Sequence, residues 1–221
     1  MRELFSLDSR LSLCGEFVRE GSPLADIGTD HAYLPVHLVL EGKVPFAVAA
    51  DIASEPLQKG RETVEKYHAE DKVETRLCGG LSGISPDEVR DIVIAGMGGD
   101  TIIEILDAAP WVKNPRYQLD LQPMTKVHRV VKNLYKQGFR IDKQGACEAS
   151  GKLYTVMAVS FRGVPQEISD EFSYTGILNP EENELHRAYL ERQISTLRKR
   201  AKGDEKYAEI ADRIAERISL S

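Results

Sequence analysis

The sequence predicts an α/β protein built on a largely parallel sheet flanked by helices. Short apolar runs alternate with amphipathic segments through most of the 221 residues, which is typical of consecutive β-α-β units. The first such run ends in Asp26-Ile27-Gly28, as a buried parallel strand does where it turns tightly into a helix. Polar helical periodicity extends from residue 183 to the end. Together these patterns predict a sheet domain followed by a small helical domain.

The elements are assigned in chain order. Residues 8–19 carry Leu11, Leu13, Phe17 and Val18 among charges, which predicts a short amphipathic helix. Apolar runs predict parallel strands at residues 23–27, 46–50, 73–77, 91–95 and 118–122. The intervening patterns predict helices at residues 33–41, 55–68, 100–108 and 126–137. Runs at residues 139–146 and 153–161 predict an antiparallel pair, and the expected strand order of the parallel part is 3-2-1-4-5.

The helical tail begins after a change in composition. This change falls at Gly163-Val164-Pro165, and it divides the chain into predicted domains at residues 1–162 and 163–221. Apolar or aromatic residues then recur at helical spacing, with an interruption near Gly203; they are Leu185, Tyr189, Leu197, Tyr207, Ile210, Ile214 and Ile218. The tail is therefore predicted to form a helical hairpin or a short coiled coil.

Composition excludes several classes of protein. No apolar run is long enough to span a membrane, and the first residues lack the order of a signal peptide, so a cytoplasmic location is expected. Cys14, Cys78 and Cys147 are too widely spaced for a metal site or a disulfide framework. The net charge of -6 argues against a uniformly basic nucleic-acid binder, although a local basic face can still attract a polyanion. The oligomeric state stays open, with a monomer favoured.

The turn after the first strand predicts a nucleotide-type cofactor site. Gly28 lets the backbone approach a ligand, and Asp51, at the end of the second strand, can accept both ribose hydroxyls. A dinucleotide fingerprint would have glycine at positions 28, 30 and 33, whereas this chain has Asp30 and Tyr33. A carboxylate beside the turn disfavours a pyrophosphate and suits the cationic S-adenosylmethionine. The alternative is an ordinary tight turn between a strand and a helix.

The end of the fourth strand is a second candidate site. Its sequence is AGMGG at residues 95–99. In the expected strand order this segment lies beside the first strand, so it faces the reactive end of a bound ligand. The alternative is that the glycines only let the next helix start close to the sheet.

Five short motifs stand in order along the chain. They are ADIGTDHAYLP at residues 25–35, Asp51 followed by Pro56-Leu57, IVIAGMGG at residues 92–99, LQP at residues 121–123 and GKLY at residues 151–154. In combination they closely resemble the TrmK family of bacterial tRNA adenine-N1 methyltransferases. The resemblance implies a Rossmann-like class I S-adenosylmethionine-dependent fold, a coiled-coil-like C-terminal domain and methylation of the adenosine at tRNA position 22. The motifs match in order and spacing over residues 1 to about 162. The helical tail agrees with the family in its general character rather than in any motif.

Two positions depart from the pattern of that family. The family shows Gly-Asp-Gly-Leu after the third strand, where this chain has Cys78-Gly79-Gly80-Leu81, so an acidic side chain near the cofactor adenine is missing. The family shows Gln-Pro-Asn where this chain has Gln122-Pro123-Met124, which removes an amide that could bind the target base. Three functions stay open: a tRNA adenine-N1 methyltransferase, a methyltransferase of the same fold with another RNA or a small-molecule substrate, and a non-catalytic RNA-binding relative.

The motifs and the resemblance together give the predicted site residues. Those for the cofactor are Asp26, Gly28, Thr29, Asp51, Ile52, Gly79, Gly80, Ala95, Gly96, Met97 and Gly98. The catalytic candidates are Asp30, His31 and Tyr33. Adenine N1 needs no base to become a nucleophile, so positioning carries the rate, and Asp30 would stabilise the cationic product or accept its proton. The alternative for Asp30 is a helix cap. His31 and Tyr33 would stack on the target base or hydrogen-bond to it, and the alternative for His31 is a structural role at the turn.

RNA binding is expected from local basic clusters. One lies in the tail and another along the helix after Pro123, and the predicted RNA-binding residues are Arg10, Lys126, His128, Arg129, Lys132, Arg198, Lys199 and Arg200. Phosphates bind such arrays, although each could also be a solvated helix face. A target base must leave its stack to react, which requires contacts on both sides of the nucleotide.

Overall fold

A computed structural model describes residues 5–219, in which a mixed sheet is flanked by helices. The strands are β1 (Leu24–Ile27), β2 (Ala47–Asp51), β3 (Val73–Leu77), β4 (Asp91–Gly98), β5 (Gln118–Thr125), β6 (Phe139–Ala149) and β7 (Lys152–Phe161). The helices are α1 (Ser9–Phe17), α2 (Tyr33–Leu40), α3 (Ser54–Tyr67), α4 (Gly99–Asp107), α5 (Val127–Lys136), α6 (Asp170–Thr175), α7 (Glu184–Arg200) and α8 (Lys206–Ser219). The outer limits of the two predicted domains, residues 1 and 221, lie outside the described part.

The sheet has seven strands in the order β3-β2-β1-β4-β5-β7-β6. Strand β1 lies between β2 and β4 in parallel register, with Asp26 beside Ala49 on one side and Val93 on the other. Strand β7 pairs antiparallel with both β5 and β6. The predicted α/β fold with an antiparallel end is confirmed. The carboxyl ends of β1, β2 and β4 consequently meet at one edge, where open α/β sheets bind ligands.

Both faces of the central strands are buried. On one face, Ile27, Ile94 and Leu121 pack against helix residues such as Ile102; on the other, Leu24 and Val93 pack against residues such as Leu34 of α2. Burial on two faces explains why these strands are continuous apolar runs rather than alternating ones. The free energy of burial on both faces holds the strand ends, and hence the candidate site, in place.

The glycine segment after Ala95 differs from the prediction. The predicted fourth strand ends at residue 95, but β4 continues to Gly98. It pairs there with β5, which also extends beyond its predicted end, and the register shifts at Met97. Gly96 has a φ of 78°, a conformation that costs a glycine little and lets the strand bulge. The bulge keeps the backbone of residues 95–98 at the ligand-binding edge instead of leading it away.

The C-terminal helices pack on the sheet domain. Helices α7 and α8 pack on one another, and α7 also contacts β6 and β7. Their shared cluster includes Leu190, Leu197 and Ile214 together with Tyr174 of α6 and Ala146 of β6. The two predicted helices are present, and α6 is an additional short helix. The position of the predicted boundary between residues 162 and 163 stays a prediction, next to the end of β7 at Phe161.

Membrane and metal sites can be assessed for the described part of the chain. Across residues 5–219, no helix has the length and apolar character needed to cross a membrane. Within the same range, no group of three or more His, Cys, Asp or Glu side chains is arranged to hold a metal ion.

Candidate functional site

Asp26 lies on β1 with its carboxylate beneath the turn that follows the strand. The side chain is buried, and Thr29 Oγ1 donates a hydrogen bond to its Oδ2 atom at 2.6 Å. Burial raises the pKa of Asp26 to about 6; the Thr29 hydrogen bond opposes this shift and the charge of Asp51 adds to it. The Asp26 carboxylate is therefore a buried anion at neutral pH that a cationic ligand group would stabilise.

The turn from β1 to α2 uses left-handed backbone at three positions. Gly28, Asp30 and Ala32 have φ values of 74°, 49° and 54°. A Cβ atom on Gly28 would overlap the terminal methyl carbon of Met97, so the absence of a side chain at position 28 lets β4 approach the turn. The shape of the turn thus depends on residues with left-handed backbone and on the close approach of Met97 to Gly28.

Asp51 connects the turn to the end of β2. Its Oδ1 atom accepts the backbone N–H of Ala53 at 2.8 Å, and its Oδ2 atom is 3.4 Å from the backbone N of Asp30, which donates to it. A carboxylate has further lone pairs, so both oxygens can still accept ligand hydroxyls. The side chain is half-buried and lies at the predicted cofactor edge.

A cavity of about 340 Å³ opens beside the turn. Its lining residues belong to α1, the β1 turn and the ends of β4 and β5; they are Arg10, Leu11, Asp26, Gly28, Thr29, Asp30, His31, Tyr33, Leu34, Ala95, Gly96 and Met124. The structure thus brings the three catalytic candidates together with five of the predicted cofactor residues. We call this space the first cavity.

The side chains at the mouth of the first cavity are arranged for stacking. The rings of His31 and Tyr33 are parallel, with centroids 5.2 Å apart, and His31 Nε2 is 3.7 Å from Asp30 Oδ2. Asp30 is exposed, and the N-cap position of α2 is Ala32, with no side-chain hydrogen bond to the helix. The alternative prediction that Asp30 caps this helix is wrong, because the left-handed residues of the turn separate Asp30 from the first helical N–H groups.

A second cavity of about 510 Å³ lies along the other side of Met97. Ile52, Gly79, Gly80 and Met97, all predicted cofactor residues, line it together with apolar residues of α4 and Trp111. Glu104 carries the one carboxylate among its described lining residues. The apolar lining of this space suits an aromatic base.

Gln122 is a site residue that sequence analysis missed. It is fully buried, and its Oε1 atom accepts hydrogen bonds from Gly96 N at 3.0 Å and from Arg10 Nη1 at 3.1 Å. The same amide lies near the Met124 sulfur. A glutamine at the end of a predicted buried strand was the available signal, because a buried amide requires polar partners. Gln122 ties the β4 bulge to α1 and thereby fixes one wall of the first cavity.

Two glycines of β4 and α4 have a different environment. Gly98 lines neither cavity and is the N-cap residue of α4. A Cβ atom at Gly99 would lie 2.7 Å from the backbone oxygen of Thr125. At Gly99 the structure agrees with the alternative that glycine lets a helix begin close to the sheet, whereas a Cβ atom at Gly98 would make only ordinary contacts. The cofactor role predicted for Gly98 stays a prediction without a lining contact to support it.

Most of the predicted RNA-binding cations are in ion pairs. Lys126 and Arg129 both pair with Asp100, Lys132 pairs with Asp170, and the other two ion pairs are Arg10–Asp8 and Arg198–Asp212. His128 is half-buried and stacks on Tyr174 with ring centroids 4.5 Å apart. These residues lie on α1, at the start of and along α5, and on α7, so they do not form one continuous stripe, and of them Arg10 lines the first cavity.

The chain is similar to known methyltransferases. A protein family described as a methyltransferase domain matches residues 7–157. The tRNA (adenine(22)-N(1))-methyltransferase of Bacillus subtilis (strain 168) is 36% identical over 157 residues, which are 71% of this chain and 66% of that relative's length. The sequence match therefore spans slightly less than two thirds of that relative's length.

Solved structures match over nearly the whole chain. Streptococcus pneumoniae Sp1610 in complex with S-adenosyl-L-methionine superposes with a TM-score of 0.85 at 27% identity, covering 96% of this chain and 100% of that one. The structure of the Bacillus subtilis M1A22 tRNA methyltransferase TrmK superposes with a TM-score of 0.75 at 28% identity, covering 99% of this chain and 97% of that one. The similarity thus includes the helical tail as well as the sheet.

Proposed function

Because this chain belongs to the methyltransferase-domain family, and within it to the TrmK group, we propose that it transfers a methyl group from S-adenosylmethionine to N1 of an adenosine in tRNA. The observation that carries the proposal is the first cavity, where a buried carboxylate, a glycine turn and an aromatic pair meet at the carboxyl ends of β1 and β4. The homologous Bacillus subtilis protein acts on adenosine 22, and we propose the same position here. A tRNA substrate also places the proposed activity in the cytoplasm.

The residues of the two cavities, together with Asp51 at the adjacent end of β2, fit S-adenosylmethionine. The apolar second cavity suits its adenine, Asp51 has free lone pairs for its ribose hydroxyls, and the buried anion Asp26 suits its cationic amino-acid part. When bound, the cofactor supplies a sulfonium methyl group that is open to in-line attack. Glu104 is the candidate acceptor for the adenine amino group, in place of the acidic residue that position 79 lacks.

The target adenine would occupy the mouth of the first cavity. His31 and Tyr33 offer a stacking surface there, and Arg10 and Met124, both in contact with the buried Gln122, also line the cavity. Since N1 is already a lone-pair nucleophile, the work of these residues is to align the base. Positioning of this kind can lower a barrier by about 7–11 kcal/mol at the upper end.

Asp30 is our candidate for the charge that develops on the product. N1-methyladenine is a cation until N6 loses a proton, and the exposed carboxylate of Asp30 lies on the lining of the same cavity, 3.7 Å from His31. A carboxylate in this place stabilises the positive charge and can accept the proton. Tyr33 and His31 are proposed as base-contacting residues.

The direct test is mass spectrometry of nucleosides from unmodified tRNA incubated with the protein and S-adenosylmethionine. We expect N1-methyladenosine to appear with wild-type transcript and not with a transcript that carries guanosine at position 22. Methylation at another adenosine would support the same chemistry with a different site. Calorimetry that detects S-adenosylmethionine binding without any methyl transfer to tRNA would favour a different substrate, and no cofactor binding would leave a non-catalytic RNA-binding protein.

A further inference from the structure

A third cavity of about 250 Å³ lies where the tail meets the sheet domain. On one side are Met124, Lys126 and His128 at the end of β5 and the start of α5; on the other are Tyr189, Arg192 and Arg200 of α7. We call it the β5–α7 cleft. Met124 also lines the first cavity, so the two spaces share a wall.

Tyr189 carries an unpaired polar group into this cleft. The residue is 3% exposed, and its hydroxyl finds no hydrogen-bond partner among residues 5–219. Burial raises the pKa of Tyr189 well above its usual value, so the phenol remains a donor. A buried hydroxyl without a partner costs free energy, and it is explained if a bound ligand supplies the missing acceptor.

The charge of the cleft favours an anion. Lys126, Arg192 and Arg200 contribute to its lining, Lys126 as an ion-pair partner of Asp100, and no aspartate or glutamate of the described chain lines it. The nearby Asp170 is engaged by Lys132 and Lys206, whose hydrogen bonds lower its pKa to about 2. Because Lys132 and Lys206 offset the charge of Asp170, this carboxylate does not neutralise the cations of the cleft.

The cleft also has aromatic walls. The rings of His128 and Tyr174 stack at an interplanar angle of 14°. Burial, followed by the charges of Arg200 and Lys132, lowers the pKa of His128 to about 4, so its ring is neutral at physiological pH. Cations beside neutral aromatic rings are the combination that binds an unpaired nucleotide, by phosphate contact and base stacking.

We infer that the β5–α7 cleft is a second nucleotide subsite, which holds the RNA nucleotide next to the target adenosine. Arg200 contacts its phosphate, the His128–Tyr174 pair contacts its base, and the Tyr189 hydroxyl donates to one of its acceptor atoms. The shared wall at Met124 allows the strand to pass from the first cavity into the cleft. The inference rests on the proposed function, because it requires an RNA substrate, and it gives the tail a direct role in selecting that substrate.

The test uses two substitutions in the full chain, each with a matched control. Tyr189→Phe keeps the ring and removes only the unpaired hydroxyl, so stability should not fall; Tyr207→Phe, in the same apolar cluster, is its control. Arg200→Gln removes one cation, and Arg213→Gln, exposed on α8, is its control. We expect Tyr189→Phe and Arg200→Gln to raise the KM for tRNA by about three- to tenfold, with unchanged kcat and S-adenosylmethionine affinity.

Two further measurements separate a subsite from a general loss of affinity. Arg200→Gln should reduce the slope of log Kd against log salt by about 1, whereas Arg213→Gln should not. A tRNA lacking the base before or after the target adenosine should bind more weakly, and Tyr189→Phe should then cause no additional loss. Wild-type KM values for both variants, with tRNA still methylated, would overturn the subsite and leave the proposed function intact. Failure of the wild-type protein to methylate tRNA would instead overturn the proposed function and the subsite together.

Discussion

Asp26 is the residue whose protonation is most clearly set by its surroundings. Its pKa is about 6 in the folded protein against 3.8 for an ordinary aspartate, because burial disfavours the charged form. Between these two values the folded protein binds more protons than the unfolded chain. The contribution of Asp26 to stability is therefore complete below about pH 4 and is lost as the pH rises through 6.

Asp26→Asn removes this dependence while keeping the size of the side chain and an acceptor for Thr29. At pH 7 to 8 we expect the variant to be more stable than the wild type by up to about 3 kcal/mol, from a shift of about two units. The gain should vanish below about pH 4. Urea unfolding across pH 4 to 8 measures it, and parallel curves for the two proteins would contradict it. The same variant should bind S-adenosylmethionine more weakly, since it lacks the buried anion.

Asp30 provides the second prediction at this scale. Asp30→Asn keeps the turn, because asparagine tolerates the left-handed backbone at this position, and it removes the negative charge. We expect kcat for tRNA methylation to fall by about tenfold or more, while the Kd for S-adenosylmethionine changes little. Glu62→Gln, on the exposed face of α3, is the control for a lost surface charge. A wild-type kcat for Asp30→Asn would remove Asp30 from the catalytic candidates.

At the scale of elements, the tail is both a packing unit and a wall of the β5–α7 cleft. Helix α7 packs on β6 and β7, and Arg192 Nη1 donates a hydrogen bond to the backbone oxygen of Leu153 at 2.9 Å. The first and second cavities have no lining residue from α7 or α8. The tail is therefore separable from cofactor binding but not from the surface around β7.

Deletion of residues 183–221 should consequently affect RNA and cofactor differently. We expect the Kd for S-adenosylmethionine to stay within about twofold of the wild type, and tRNA binding to weaken by at least about tenfold. The melting temperature should fall, because Ala146 and Tyr174 lose their apolar cover. Calorimetry with the cofactor shows whether the shortened chain is folded. Unchanged tRNA affinity in a folded variant would exclude the tail from RNA binding.

For the whole molecule, the net negative charge does not show where the cations are located. The chain carries a net charge of -6, yet Arg10 lines the first cavity and Lys126, Arg192 and Arg200 line the β5–α7 cleft. Two of these cations are held by carboxylates, Arg10 by Asp8 and Lys126 by Asp100. Such pairs position the cations near the site, and RNA phosphates can compete for them at low salt.

Sequence alone was sufficient for the order of the parallel strands, the presence of most helices and strands, and the candidate turn. These depend on local patterns: apolar runs buried on two faces, helical periodicity, and an Asp-x-Gly strand end. The bulged continuation of β4 and the burial of Gln122 were not predictable, because both arise from pairing with β5 across the sheet. The exclusion of Asp30 as a helix cap likewise required the left-handed turn geometry.

The sequence by itself determined the α/β fold, the ligand-binding edge and the resemblance to tRNA methyltransferases, because patterns of neighbouring residues along the chain are enough to specify them. Only the tertiary structure decided which side chains share a cavity. It joined Arg10 of α1 to Gln122 of β5, and it brought Tyr189 and Arg200 of the tail against the end of β5. Such contacts depend on the packing of elements distant in the chain, which no local pattern encodes.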